Sequence, residues 1–334
     1  MTEQGDSSEM TRSPKVSVIM SVLNGARFLR ESIESILSQT FPNFEFLIVN
    51  DGSTDSTGEI ISSYADPRIR LIENSVNRGL PVSLNKCIQL SKGEYGARQD
   101  ADDISLPHRL ELQVAEMDAN PAIGAVGGWW HSIDIKDRIV TREKAPPDNN
   151  TLFRRIINHG INPSPHGSMM IRMELLKTLG GYDERFWFTQ DFDLWLRMST
   201  HAEFSVVQSY LYKLRTLPVQ NGFKETCQRI YYNHAMKQYK TGEKQDFEDV
   251  REYVRRTAPK SLVNNKHQMK KYWDQIASIT GKEGYWQLSI FYRIKALRSG
   301  HPLQIADSIY RLLGALAKSV VLMAQRKNEK EQIH

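Results

Sequence analysis

The chain has 334 residues, enough for a substantial core and for one large domain with an appendage, or two domains. With 40% hydrophobic and 25% charged residues wholesale disorder is excluded, and two distant cysteines, Cys87 and Cys227, exclude a disulfide framework and fit a reducing compartment. The net charge of +5 hides a division, because from Lys224 onward 21 Lys and Arg face 11 Asp and Glu, while the preceding part carries 23 against 28.

That division argues against a uniform nucleic-acid footprint, so no nucleic-acid partner is expected. It points the basic back part at something anionic, such as phospholipid or a pyrophosphate-bearing acceptor. No run of about 18 apolar residues occurs, so no transmembrane helix is expected. Met1–Arg12 is polar and lacks the apolar segment of a secretory signal, which predicts a cytoplasmic protein.

Residues 1–14 are expected to be a disordered lead. The β-branched run from Lys15 to Val22 then has the character of a strand buried on both faces. Asn24-Gly25 makes a turn, and Phe28, Leu29, Ile33, Ile36 and Leu37 recur at helical spacing. Phe44–Asn50 is a second buried strand, ending in Asp51-Gly52-Ser53-Thr54-Asp55, with Ser56 and Glu59 spaced as a capping box for the next helix. Asp51 could equally cap that helix. Ile69–Ile72 reads as a third strand, Pro81–Leu90 as a helix, and Tyr95–Gln99 as a fourth strand. Strands and helices alternating at this pace predict right-handed βαβ units, an α/β fold and a mainly parallel, Rossmann-like sheet flanked by helices. Ligands of such sheets bind beyond the carboxyl ends of the strands, and Asn24, Asp51 and Asp100 all stand there.

Arg98-Gln99-Asp100-Ala101-Asp102-Asp103 is the densest chemical signal. Three carboxylates in four positions repel one another, which favours a cation nearby. Asp100 and Asp102 could hold one hard divalent ion, Mn²⁺ or Mg²⁺, together with substrate phosphates. The plainer alternative is an acidic turn capping the helix expected from Pro107 to Asn120. Ile123–Trp130 is another strand, on which Trp129 and Trp130 face opposite ways. Arg138–Asn150 is expected to be a mobile loop, Asn162–Ser168 a rigid turn, and Gly180–Glu184 a second turn before a helix bearing Leu194, Trp195, Leu196 and Met198. Asp193 and Arg197 are spaced as an ion pair on that helix. His166 is either a turn histidine or part of a pocket. From about Gly222 long helices are expected, the last with an apolar face from Ile305 to Met323 that packs on protein or lies on a membrane.

Several of these pieces carry a resemblance when taken together and in order. They are Val16–Asn24, Val49–Asp55, Asn77-Arg78-Gly79 with Leu84-Asn85, Gly93–Asp103, Pro107–Leu110, Pro165–Ser168, Gly180–Glu184 and Gln190–Arg197. The chain resembles a family 2 glycosyltransferase of the GT-A fold over roughly Lys15 to Arg215. Such enzymes transfer sugars from nucleotide diphosphate donors with inversion at the anomeric carbon. The resemblance implies a catalytic domain over 15–221 and leaves 222–334 as a helical extension for acceptor, oligomer or membrane-surface contacts.

By that resemblance Val22, Asn24, Asp51, Arg98 and Asp100 bind the nucleotide, with Asp51 accepting from the base edge. Asp102 and Asp100 hold Mn²⁺ or Mg²⁺, and Asp191 is the base that inversion requires opposite the leaving group. His166, Gln190, Trp130 and Arg215 are candidates for the donor or acceptor pocket. Three positions depart from the family pattern: Leu23 replaces an aromatic before Asn24, Gln190 replaces Glu before the base, and Leu217 stands where a His often follows Arg215.

The implied partners are a nucleotide-diphosphate sugar, first a UDP-sugar, and a glycan or lipid-linked acceptor of surface polysaccharide assembly. Peripheral contact with the inner membrane face and homo-oligomerisation through the C-terminal helices are compatible with the same reading. Two other readings stay open: a nucleotidyltransferase, and a catalytically silent module that binds nucleotide-sugar.

Overall fold

A computed structural model describes residues 13–216 and 223–244. Most of the expected lead and of the C-terminal helices, including the Ile305–Met323 face and Leu217, lie outside the described residues. Two compact units separate: among described residues the first holds 13–130, 144–214 and 228–244, and the second holds 131–143, 215–216 and 223–227.

In chain order the elements are β1 (Val16–Val22), α1 (Leu29–Leu37), β2 (Phe44–Asp51), α2 (Thr57–Ser62), β3 (Ile69–Asn74), α3 (Leu80–Leu90), β4 (Tyr95–Arg98), β5 (Ile104–Ser105) and α4 (Arg109–Ala119). Then come β6 (Ile123–Ile133), β7 (Ile139–Glu143), α5 (Asn149–His159), a 3₁₀ turn at His166–Ser168, β8 (Met170–Arg172), α6 (Met173–Thr178), α7 (Gln190–Met198), β9 (Glu203–Arg215) and α8 (Phe223–Thr241).

The first half of the sheet is parallel, in the order β3-β2-β1-β4, with Val16 in register with both Phe44 and Tyr95. The inner strands β1 and β2 read as nearly continuous apolar runs because they are covered on both faces, every residue of β2 being buried, whereas the edge strand β3 is only half-buried. Ile33 and Ile36 of α1, with Leu84, Cys87 and Ile88 of α3, supply part of that cover. Beyond β4 the pairing turns antiparallel: β8 meets β4 with Tyr95 opposite Arg172, and β6, β9 and β5 follow. The α/β layering with flanking helices expected from sequence is present, but the sheet is mixed rather than mainly parallel: the parallel strands end at the acidic loop, and β8 pairs antiparallel with both β4 and β6, as β5 does with β9.

Three local expectations need correction. Ser56 makes no side-chain cap, so the Ser56–Glu59 box does not form; Asp55 Oδ1 accepts the Thr57 N–H at 3.0 Å at this helix start instead. Arg138–Asn150 is not a loop. In the second unit the buried Asp134 carboxylate accepts the N–H groups of Lys136 and Arg138 and pins a tight turn, after which Ile139, Val140 and Thr141 continue as β7 beside β6. In the first unit α5 starts at Asn149, where Asp148 accepts from Thr151 N at 2.8 Å in an ordinary N-cap. Finally, α4 starts at Arg109 rather than Pro107.

Candidate active site

The loops beyond β1, β2 and β3 are latched to one another by side chains. Asn24, exposed and left-handed at φ 52, accepts the Thr54 N–H at 2.8 Å, while its own N–H donates to Ser53 Oγ at 2.9 Å. Val22, the last residue of β1, is 3% exposed, so its side chain is not open to a ligand. Asp51 is 2% exposed and accepts three hydrogen bonds, from Asn74 Nδ2 at 2.8 Å and from the N–H groups of Arg78 and Gly79, both at 2.9 Å. Neither α2 nor α3 has a side-chain cap, so the capping alternative for Asp51 is not realised; its oxygens hold Asn74 and the N–H groups that lead into α3. Asp51 thereby sets the position of the Asn77-Arg78-Gly79 loop.

At the end of β4, Arg98 is 1% exposed and donates to the Gln99 carbonyl and to Asp100 Oδ1. Burial works against its charge, but Asp100 and the phenols of Tyr182 and Tyr212 more than offset this and hold the guanidinium above its usual range. Its Nε has no hydrogen-bond partner among the described residues. Behind it the buried Arg109 donates to the Arg98 carbonyl at 2.7 Å, to Gln99 Oε1 at 3.0 Å and to Ser105 Oγ at 2.8 Å, which fixes the loop from both sides. Burial, with Arg98 nearby, pulls the Arg109 guanidinium down to about 10.

The acidic trio splits. Asp103 is buried, whereas Asp100 and Asp102 are half-buried. A Cβ on Gly167 would sit 2.5 Å from Asp100 Oδ2, so the absence of a side chain there gives the carboxylate its room. Among the described residues no group of three or more His, Cys, Asp or Glu side chains forms a self-sufficient cation cage. Asp100 and Asp102 nonetheless offer hard oxygens of the kind Mn²⁺ or Mg²⁺ takes when waters and substrate phosphates complete its shell. The fit is to a sparse site completed by substrate.

Opposite the trio stand groups from the antiparallel half. His166 Nε2 and Tyr182 Oη are 2.7 Å apart. Burial and Arg98 lower the His166 imidazole to about 4, against the pull of Asp191 and Asp100. Burial also lifts the Tyr182 phenol above its usual range, with Asp191 and Asp100 adding to the lift. Both residues therefore lie within electrostatic reach of Asp100 and Asp191 together. Asp191 itself is half-buried in the first turn of α7 and accepts from Asn162 Nδ2 at 2.6 Å. Gln190 beside it is 8% exposed. The residue before α7, Thr189, is left-handed at φ 58, an uncommon state for a β-branched side chain.

Trp130 is half-buried on β6. Trp129, facing the other way, donates Nε1–H to the Ala145 carbonyl at 3.1 Å. Arg215 is engaged in the second unit, where it pairs with Asp137 Oδ1 at 2.5 Å and donates to the Asp134 carbonyl at 3.2 Å.

Sequence reasoning did not assign Asn162, Tyr182 or Asn85. Asn85 is bidentate on the Tyr182 backbone, accepting its N–H at 2.8 Å and donating to its carbonyl at 2.9 Å. The pair Asp193–Arg197 forms at 2.8 Å, and Arg197 also donates to the carbonyls of Leu179 and Gly181. The Leu84-Asn85 and Gly180–Glu184 motifs are thus two halves of one joint that positions Tyr182. Their shared presence in the sequence was the available signal.

The family model for glycosyl transferase family 2 matches residues 17–180. Bacillus subtilis EpsE, which carries a glycosyltransferase name, is 39% identical over 215 residues, spanning 62% of this chain and 74% of that protein. An uncharacterised glycosyltransferase of Methanocaldococcus jannaschii is 35% identical over 233 residues, spanning 67% and 79%. This chain belongs to glycosyl transferase family 2. A Rickettsia prowazekii member, also uncharacterised, is 28% identical over 317 residues, 90% of this chain and 92% of its own, so its likeness runs on past the family-model match.

Solved structures share the fold at low identity. S. aureus TarS 1-349 in complex with UDP-GlcNAc aligns with a TM-score of 0.54 at 15% identity, over 91% of this chain and 92% of that one. The mannosyltransferase PcManGT from Pyrobaculum calidifontis, in complex with GDP-Man and Mn²⁺, aligns at 0.52 and 17% identity, over 93% and 81%. Among the described residues no helix is long and apolar enough to cross a membrane.

Proposed function

We propose that this glycosyltransferase is metal-dependent and inverting, and moves a sugar from a nucleotide diphosphate donor, first a UDP-sugar, to a hydroxyl of a glycan or lipid-linked acceptor in surface polysaccharide synthesis. One arrangement carries the reading: the His166-Gly167 turn lies against Asp100, where a Cβ on Gly167 would sit 2.5 Å from Oδ2, His166 Nε2 stands 2.7 Å from Tyr182 Oη, and the separate carboxylate of Asp191 on α7 acts on both rings. Two carboxylates with a shared wall of polar rings suit a reaction that holds a leaving diphosphate on one side and removes a proton on the other.

In this reading the backbone at Val22, the Asn24 latch, Asp51 and Arg98 form the nucleotide side. Asp51 acts there chiefly by fixing the Asn77–Gly79 loop. Asp102 and Asp100 would hold Mn²⁺ or Mg²⁺, which when bound neutralises diphosphate charge and stabilises the leaving oxygen. Arg98 neutralises and orients Asp100. Asp191 takes the proton from the acceptor hydroxyl as that oxygen attacks the anomeric carbon. His166, kept neutral by burial, donates or accepts one hydrogen bond without adding charge. Gln190 and Trp130 are assigned to the acceptor side.

The proposed place of work is the cytoplasmic face of the membrane, a reading supported by the basic excess after Lys224. The proposed division of labour gives catalysis to 15–221 and acceptor, oligomer or membrane contacts to 222–334. The test is product analysis with a panel of UDP-, GDP- and dTDP-sugars and Mn²⁺. Release of nucleoside diphosphate supports the reading; pyrophosphate would replace it with nucleotidyl transfer, and no release would leave a silent binding module.

A further inference from the structure

We infer that Asn162 is the positioning residue of Asp191, holding one carboxylate oxygen so that the other is presented to the acceptor. This rests on the proposed function, since it assigns how the base of that reaction is oriented. Asn162 Nδ2 donates to Asp191 Oδ2 at 2.6 Å, and both residues are half-buried. An amide is suited to the task because it donates without carrying charge and cannot compete for the proton. A freely rotating aspartate at a helix start would populate several rotamers, only one of which aims an oxygen at the acceptor.

The two partners come from separate elements, and an independent contact holds those elements together. Tyr232 of α8 stacks on Phe192 of α7, with ring centroids 4.8 Å apart and planes 28° from parallel. The same ring lies over Gly160, the left-handed residue that ends α5, where a Cβ would come within 2.4 Å of Tyr232 Cε2. One ring of α8 thus grips the residue beside Asp191 and the residue two before Asn162. Asp191 acts on two titratable groups, His166 and Tyr182, on the turns before β8 and after α6; Arg98 and Asp100 act on those same two residues.

The experiment measures nucleoside diphosphate release from UDP-GlcNAc, other UDP-sugars and GDP-mannose with Mn²⁺ as a function of pH. It compares wild type, Asn162→Ala, Asn162→Asp and Asp191→Asn, with folding checked by thermal melting. Asn162→Ala is expected to lower kcat about 10- to 100-fold with donor Kd within about twofold. Asn162→Asp, which is isosteric and keeps the site filled, places a like charge against Asp191, and the acid limb of its kcat–pH profile should move up by about one pH unit or more. A residue that merely stabilised the fold would move the melting temperature and leave that limb where it was. Wild-type kcat and an unmoved limb in both Asn162 variants, with Asp191→Asn inactive, would overturn this inference and leave the proposed function standing. Full activity in Asp191→Asn, or no diphosphate release by wild type from any donor, would overturn both.

Discussion

Single residues in this site are set by their neighbours more than by their identity. His166 is the clearest instance, lowered to about 4 by burial and by Arg98. Its ordinary value lies near 6.5, so between about 4 and 6.5 the unfolded chain binds a proton at this position that the folded protein refuses. Stability from this residue is therefore complete above about pH 6.5 and is lost as pH falls toward 4. His166→Gln should flatten that part of the stability–pH curve, as measured by urea unfolding at pH 7.5, 6 and 5. An unchanged slope would place the histidine outside the buried, cationic surroundings described here. Asp51 shows the same dependence on neighbours. A carboxylate after a strand invites a ligand role from sequence, yet its oxygens already accept from Asn74, Arg78 and Gly79. No residue-by-residue rule distinguishes these cases, because the donors come from a loop more than twenty positions away.

Elements were legible where a single pattern decided them. The parallel half could be traced from buried β-branched runs, since strands covered on both faces leave little polar ambiguity. The turn at Asp134 and strand β7 were hidden, because Arg138–Asn150 is rich in proline and polar residues and its order comes from one buried carboxylate. The joint between α3 and the Gly180–Glu184 turn was visible as two motifs but not as one object. It yields an element-scale prediction. Gly181 is left-handed at φ 72, and a Cβ there would lie 2.4 Å from Asn85 Oδ1. Gly181→Ala should destabilise the fold by about 1–3 kcal/mol, combining backbone strain with loss of the Asn85 bridge. Denaturant unfolding would show it, and a change below about 0.5 kcal/mol would mean that the turn is not under this constraint. The site itself was partly legible for the same reason. Carboxylates at strand ends announce themselves, whereas Asn162 is one polar residue among the prolines of a turn and gains meaning only from what it touches.

At the scale of the whole molecule, one sheet has two halves, the parallel half leading into Asp100 and Asp102 and the antiparallel half carrying His166, Tyr182 and Asp191 on the segments between its strands. Helix α8, expected to begin a separate region, lies against the first unit from Gln228 onward and packs Tyr231 and Tyr232 on the aromatic residues that flank Asp191. A donor that spans the parallel half should stabilise the protein, by about 2.7 kcal/mol at 100 times its Kd. Thermal melting with each nucleotide sugar, with and without Mn²⁺, would show a metal-dependent rise for the true donor. A rise of equal size with and without metal would remove the cation from the account.

The measurement that bears most directly on the central claim pairs binding with turnover in Asp191→Asn. The account predicts a donor Kd within about twofold of wild type and turnover reduced by ~10²–10⁴-fold, the range for loss of a positioned general base. Turnover within a few-fold of wild type would contradict it.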